Sequence, residues 1–193
     1  MSKIAILLLA AGASARMQGR DKLMEEIEGT PLLSLLCHRA VQTGLPCYVA
    51  VPSQAHPRVA ATGSAHVIPV PKAAEGMAAS IRTGIAALPD TTEAVMILPC
   101  DMPELQTQDL LDLATHFQGP DGPVLRATSS DGTPGHPVLF PRRCFPALGQ
   151  ISGDQGARNV LRSQEVQLVA LPGQHAVTDL DTPEAWAHWR AGR

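Results

Sequence analysis

The sequence predicts an α/β protein: an open, mostly parallel sheet with helices on both faces. Two observations carry that class. Strand-like and helix-like segments alternate from Ile4 to Phe117, the βαβα order of a parallel sheet covered by its own crossover helices. The first run, Ile4–Ala11, is apolar without interruption, as a strand buried on both faces is. Such sheets bind ligands beyond the carboxyl ends of their strands. The first and fourth strands both end in loop-forming residues, which places their tips on one rim.

Each element has a local reason. Ile4–Ala11 breaks at Gly12. Pro31–Thr43 reads as a helix, with Thr30 as a candidate N-cap and Pro31 in the first turn. Tyr48–Val51 forms a second strand, closed by Pro52, and Val67–Val70 a short third. Gly76–Leu88 carries Met77, Ile81, Ile85 and Leu88 at helical spacing. Ala94–Leu98 is the fourth strand and ends at Pro99; Gln106–Phe117 is the next helix. The second half is less regular. Val124–Ala127 and His136–Phe140 read as strands around the polar stretch Ser129–Gly135, and Asp154–Arg162 as a helix. Val166–Ala170 is a late strand and Pro183–Trp189 a terminal helix. No repeat or long linker divides the chain, and 193 residues fit one domain able to bury a core.

Composition narrows the function. A hydrophobic content of 45% and a mean hydropathy of +0.03 fit a soluble globular protein. A formal charge of −3 and a pI near 6.1 leave no basic footprint for nucleic acid. An aromatic content of 3% argues against a base-stacking surface. The apolar start is too short to span a bilayer and Gly12–Lys22 is unlike a signal cleavage region. The expectation is a cytoplasmic protein with no membrane or nucleic-acid partner. Cys37, Cys47, Cys100 and Cys144 are widely spaced with no CxxC, a pattern of free thiols in a reducing compartment.

Five segments carry candidate chemistry. Gly12–Lys22 follows the first strand with small residues and then Arg16, Arg20 and Lys22. Small residues let backbone N–H groups approach a ligand, and the cations suit phosphate. The segment is neither a Walker A loop nor a G-x-G-x-x-G fingerprint; the alternative is an ordinary β–α turn with solvated cations. Pro99-Cys100-Asp101-Met102-Pro103 puts a carboxylate at a strand tip, where it either holds a divalent metal or caps the following helix. Cys100 reads as a packing residue. In Asp179-Leu180-Asp181-Thr182-Pro183, Asp181 or Thr182 is good N-cap chemistry before Pro183, while Asp179 and Asp181 face the same way if extended. His136, in Gly135-His136-Pro137, is either structural or functional. Ser152-Gly153-Asp154-Gln155-Gly156-Ala157-Arg158 reads as a turn with an Asp-capped helix, or as a loop whose Arg158 receives an anion.

Taken together these strings resemble one family. LAAGASARMQGRDK is similar to the L-A-[AG]-G-x-S-x-R-M-G-x-x-K signature of MobA-like nucleotidyltransferases. GMAASIRTG, residues 76 to 84, resembles the family's second nucleotide-binding segment, and CDMP its G-D-x-P metal motif. GHPVLF, SGDQGAR and DLDTPE resemble the branch that makes molybdopterin cytosine dinucleotide. The resemblance runs in order over nearly the whole chain. It implies a three-layer sandwich of the nucleotide-diphospho-sugar transferase type, with a nucleotide-binding half over about residues 1–105 and an acceptor half over about 106–193. By the same resemblance, Ala10, Ala11, Gly12 and Ala13 hold base and phosphates, Arg16 and Lys22 neutralise the triphosphate, and Ser80 and Gly84 line the nucleoside pocket. Asp101 holds Mg²⁺, with Asp179 or Asp181 as second ligand, and His136, Asp154 and Arg158 face the acceptor. Two positions depart from the pattern: Cys100 and Gln18 stand where the family has Gly.

The implied reaction is attack by the terminal phosphate of molybdopterin on the α-phosphorus of CTP, with Arg16, Lys22 and Asp101 as the catalytic set. A phosphate monoester is already anionic near neutral pH and needs no general base. In the family, Ala-Ala-Gly tends toward CTP and Ala-Gly-Gly toward GTP; the chain has Ala10-Ala11-Gly12. The alternatives are GTP as donor, a sugar phosphate or methylerythritol phosphate as acceptor, and a non-catalytic carrier of molybdopterin. The implied partners are CTP, the pterin and, transiently, a molybdoenzyme or its maturation chaperone.

Overall fold

The computed structural model describes residues 3–153 and 156–192. The strands are β1 Ile4–Leu9, β2 Glu26–Ile27, β3 Thr30–Pro31, β4 Cys47–Val51, β5 His66–Pro69, β6 Ala94–Pro99, β7 Val124–Thr128, β8 Pro134–Pro141 and β9 Val166–Ala170. The α-helices are α1 Leu32–Val41, α2 Met77–Ala87, α3 Thr107–Thr115, α4 Phe145–Leu148, α5 Arg158–Arg162 and α6 Pro183–Ala191. Seven strands form one sheet in the order β5-β4-β1-β6-β8-β7-β9, and β2 and β3 form a small ribbon apart from it. Within the seven-stranded sheet, among the described residues, only β8 runs against its neighbours; β5, β4, β1 and β6 are mutually parallel, as are β7 and β9.

Alternation along the strands sorts side chains into two layers. On one face Ile4, Ile6, Leu8, Met96 and Leu98 pack with Leu33, Leu36 and Cys37 of α1, Leu110 and Leu113 of α3, and Trp186 of α6. On the other, Leu7, Val95 and Ile97 pack with Ala79 and Ile81 of α2, Leu148 of α4 and Val160 of α5. Three layers result. From β1 the chain moves outward to β4 and β5, and α2 then brings it back to β6 on the other side of β1. The order therefore reverses between β1 and β6, the crevice where doubly wound sheets take their ligands. The β1–β6 register ends with Leu9 opposite Pro99, so the loop from Ala10 and the segment from Cys100 emerge side by side.

Several boundaries differ from the sequence expectation for physical reasons. Thr30 does not cap the first helix: Thr30–Pro31 is β3, and Pro31 occupies the N-cap position without a side-chain bond. Backbone supplies the acceptors instead, Leu32 N–H donating to Glu25 O at 2.9 Å and Leu33 N–H to Leu23 O at 2.9 Å, which satisfies donors that a cap otherwise serves. Gln106 precedes α3 as its N-cap, its N–H donating to Asp109 Oδ2 at 2.7 Å. The helix expected over Asp154–Arg162 is confined to Arg158–Arg162, because Gly156 at φ 54° breaks it; Asp154 lies outside the described residues. The late hairpin strand starts earlier than expected, at Pro134.

Gly135 marks a backbone crossing. A Cβ there would lie 1.8 Å from Ala176 O, and the neighbouring His136 N–H donates to that same carbonyl at 2.8 Å. The GHP segment is thus sewn to the strap leading into Asp179 and Asp181. Since backbone cannot yield as a side-chain tip does, Gly135→Ala is expected to lose about 1–3 kcal/mol, lowering the melting temperature by several degrees. An unchanged thermal denaturation midpoint would refute the close approach.

Candidate active site

The loop after β1 is shaped by unusual backbone. Ser14 (φ 52°) and Gln18 (φ 53°) are left-handed, followed by Gly19 at φ 86°. Between them a short 3₁₀ turn, Ala15–Met17, is anchored by fully buried Met17. This accounts for Gln18: the family pattern has glycine where the chain turns left-handed, and here a non-glycine residue adopts that conformation. Ala11, Gly12, Ala13 and Ser14 line a cavity of about 470 Å³, together with Pro52, His56 and Arg58. Among the described residues, no protein acceptor takes the N–H groups of Ala11, Gly12 or Ala13. Such a row of free donors is the chemistry of an anion-binding concavity.

Beside that loop stands a cluster of charges. Lys22 Nζ donates to Asp101 Oδ2 at 2.5 Å and to Asp181 Oδ1 at 2.5 Å, and Arg16 pairs with the other oxygen of Asp181. Residues 16, 22, 101 and 181 are thus brought together from three distant stretches. Asp101 is held by its neighbours: Leu180 N–H donates to its carbonyl at 2.9 Å, Met102 is buried, and Arg39 donates to Pro103 O and Leu105 O at 2.7 Å each. Thr182, not Asp181, caps α6, its Oγ1 accepting from Ala185 N–H at 3.2 Å. That leaves the Asp181 carboxylate for the cluster.

The carboxylates respond unequally. Partial burial pushes Asp179 up, and the charges of Asp101 and Asp181 push it further. Burial also acts to raise Asp181, but its hydrogen bond and charge interaction with Lys22 outweigh this and lower it. Burial acts to lower Lys22, and Asp101 and Asp181 reverse that and raise it, so Lys22 is a firm cation. Asp101 and Asp181 share Lys22, and the exposed Arg16 pairs with Asp181. Among the described residues no three His, Cys, Asp or Glu side chains form a ready-made metal set; the ammonium stands between two carboxylates that hard cations favour.

A second cavity has a volume of about 670 Å³. Its floor is apolar, with Met77, Ile81, Ile97 and Phe140, and its rim carries Arg126, His136, Arg158 and Arg162. Burial lowers the His136 imidazole to about 4, and the Arg126 charge adds to this while Asp101 opposes it. His136 is therefore neutral at physiological pH, and its buried Nδ1 has no partner among the described residues. Arg82 of α2 donates to Ile151 O at 2.7 Å, holding the segment that leads to Arg158.

Other expected residues sit elsewhere. Ser80 is buried within α2, and Gly84 lies against Leu7, where a Cβ would come within 2.4 Å of Leu7 Cδ2; neither lines either cavity. Cys100 is fully packed and burial pushes its thiol well up, consistent with a packing role. Two residues escaped the sequence reading. Arg58, 3% exposed, donates to the loop after β1, and Arg126 lines the second cavity with Arg158. Nothing in the local pattern PSQAHPRVA marks Arg58; its one available signal is its position beyond the carboxyl end of a neighbouring strand.

The crevice at the sheet's switch point, with free loop donors and a Lys–carboxylate cluster, defines a nucleotidyltransferase of α/β type. The chain belongs to the MobA-like NTP transferase domain family, whose model matches residues 6–168. It is similar to molybdenum cofactor guanylyltransferase of Pseudomonas aeruginosa strain LESB58, with 30% identity over 190 residues, 96% of this chain and 93% of the relative. It is also similar to molybdenum cofactor cytidylyltransferase of Escherichia coli K12, with 27% identity over 187 residues, 95% of this chain and 94% of the relative. Among solved structures it resembles Rv0371c of Mycobacterium tuberculosis H37Rv, with a TM-score of 0.83, 25% identity and 97% of each chain covered. The fold is of the nucleotide-diphospho-sugar transferase type. Among the described residues no helix is long and apolar enough to cross a membrane.

The state of His136 has a measurable consequence. Its folded value of about 4 lies below the ordinary 6.5, so as pH falls the unfolded chain takes up the proton first. The stability contributed by neutral His136 is full above pH 6.5 and is lost progressively down to about pH 4. His136→Gln should flatten melting temperature against pH across that window; identical slopes in both proteins would contradict this burial.

Proposed function

We propose that the protein transfers a nucleotidyl group from CTP to the terminal phosphate of a molybdopterin-type acceptor and releases pyrophosphate. The observation that carries this is the cluster in which Lys22 bridges Asp101 and Asp181, in a protein with one cavity lined by the loop of free backbone donors and another lined by Arg126, Arg158 and Arg162. The names of both relatives, a guanylyltransferase and a cytidylyltransferase of the molybdenum cofactor, support the acceptor. The nucleotide-binding half is about residues 1–105 and the acceptor half about 106–193.

Ala11, Gly12 and Ala13 donate N–H groups to the triphosphate, with Ala10 fixing the loop's exit from the sheet through Ala10 N–H to Ala50 O at 2.8 Å. Lys22 and Arg16 offset the charge that develops as the bond between the α-phosphorus and its bridging oxygen breaks. An acceptor phosphate oxygen forms the new bond at the α-phosphorus and pyrophosphate departs; no proton need be removed from a monoester dianion. The apolar floor of the second cavity suits a planar ring, Arg158 and Arg126 suit its phosphate, and the unpartnered His136 Nδ1 suits a ring donor. The oxygen set of Asp101 and Asp181, with Asp179 raised by their charge, fits Mg²⁺. When bound there, Mg²⁺ supplies charge neutralisation at the phosphates. With Asp101 and Asp181 engaged by the metal, Lys22 would be available to the leaving phosphates. Delivery of the product involves a molybdoenzyme or its maturation chaperone, and the compartment is the cytoplasm.

CTP rests on Ala11, whose methyl-bearing residue lines the first cavity where a purine needs more room. GTP is the second reading, favoured by the guanylyltransferase at 30% identity. A nucleotide panel followed by pyrophosphate release with molybdopterin present should rank CTP first; equal or better use of GTP would sink that choice. Lys22→Ala and Asp101→Ala should stay folded yet lose roughly 10²–10³ in turnover. Wild-type turnover in either variant removes that residue from the catalytic set.

A further inference from the structure

We propose that Arg58 is a positioning residue for nucleotide binding, holding the Ala10–Lys22 loop in its ligand-ready form; this rests on reading that loop as the nucleotide site. Arg58 lies in a 3₁₀ turn, Pro57–Ala61, beyond β4, and is 3% exposed. A guanidinium has five N–H donors, and all are taken here. Nη1 donates to Ala10 O at 2.6 Å and Gly12 O at 2.7 Å. Nη2 donates to Ser14 Oγ at 3.1 Å and Asp21 Oδ1 at 2.7 Å. Nε donates to Asp21 Oδ2 at 2.7 Å. Every acceptor belongs to the one loop.

The choice of acceptors is what matters. The carbonyls of Ala10 and Gly12 carry partial negative charge, and turned into the cavity they would repel a triphosphate. Arg58 binds both, leaving the N–H groups of Ala11, Gly12 and Ala13 unclaimed. Its fork on Asp21 fixes the residue immediately before Lys22, and Ser14 Oγ, which Arg58 also holds, accepts from Lys22 N–H at 3.3 Å. The same contacts support Ser14 in its left-handed conformation, a strained state that persists only where surroundings enforce it. Burial acts to raise the Asp21 carboxyl, and Arg58 outweighs it and keeps it low, so the carboxylate stays charged at neutral pH. A buried ion pair is a poor source of net stability, and placing one here is better explained by the geometry it imposes. Lysine cannot substitute, since it offers three donors from one point and no planar fork.

The test uses the full chain in three forms: wild type, Arg58→Lys and Arg58→Ala. Amide hydrogen exchange over residues 10–22 is read first, without nucleotide, then CTP and GTP affinity with Mg²⁺ by calorimetry, then KM and kcat. Both variants should exchange about tenfold faster in that segment alone and bind nucleotide up to roughly 10²-fold more weakly. Guanidinium ion in the tens of millimolar should restore binding to Arg58→Ala, while ammonium should not. Variants that bind nucleotide as wild type does, or an Arg58→Lys protein with full affinity, overturn the proposal alone. A wild-type chain that binds neither CTP nor GTP overturns the nucleotide reading and this proposal with it. Should Arg58→Ala fail to fold, Arg58→Lys still decides between them.

Discussion

Six successive pairs, from Ile4 opposite Ala94 to Leu9 opposite Pro99, hold β1 parallel to β6, and the chemistry at the rim follows from that register. Because both strands run the same way, their carboxyl ends emerge together. Because the chain turns outward from β1 and returns to β6, the two connections diverge and leave a crevice between them. The loop beginning at Ala10 and the segment carrying Asp101 are thus neighbours although 91 positions separate them (101 − 10). A one-residue slip would send the core faces of the strand to the wrong layer, so packing of Ile6, Leu8, Met96 and Leu98 also fixes the site.

Charge is then distributed over that crevice in a graded way. Arg58 is buried with every donor satisfied and shapes the backbone. Lys22 is half-buried and shared by two carboxylates. Arg16 is 69% exposed and pairs with Asp181 at the surface. The pattern moves from buried to exposed cations as the crevice opens to solvent. Pinned donors of this kind cost no reorganisation on binding an anion. The strap through Asp179 and Asp181 closes the arrangement, sewn to β8 at Gly135 and to Asp101 through Leu180.

Much of this was legible in the chain itself. Uninterrupted apolar runs and their alternation with helical periodicity define a parallel sheet, and the strand-ending Gly12 and Pro99 mark the rim. Arg16, Lys22 and Asp101 stood out because each sits in a short motif that interrupts an apolar strand. The boundaries that moved did so where tertiary contacts replaced local ones: carbonyls of Leu23 and Glu25 took over the capping of α1 from Thr30. Thr182 rather than Asp181 capped α6, a choice between adjacent residues with similar cap propensity. Gly84, which the resemblance assigns to the nucleoside pocket, lies where helix α2 approaches Leu7.

The sequence by itself determined the class of fold and the rim on which chemistry gathers, because periodicity and chain-breaking residues are local properties. It also determined the family, because the motifs are contiguous strings. Only the tertiary structure decided which charges meet. Lys22 joins Asp101 and Asp181, Arg58 reaches back to five acceptors on one loop, and His136 is held neutral beside Arg126. Those outcomes depend on which distant backbone segments come within about 3 Å of one another, and on how much water their approach removes. Neither quantity is written in the neighbours of a residue along the chain.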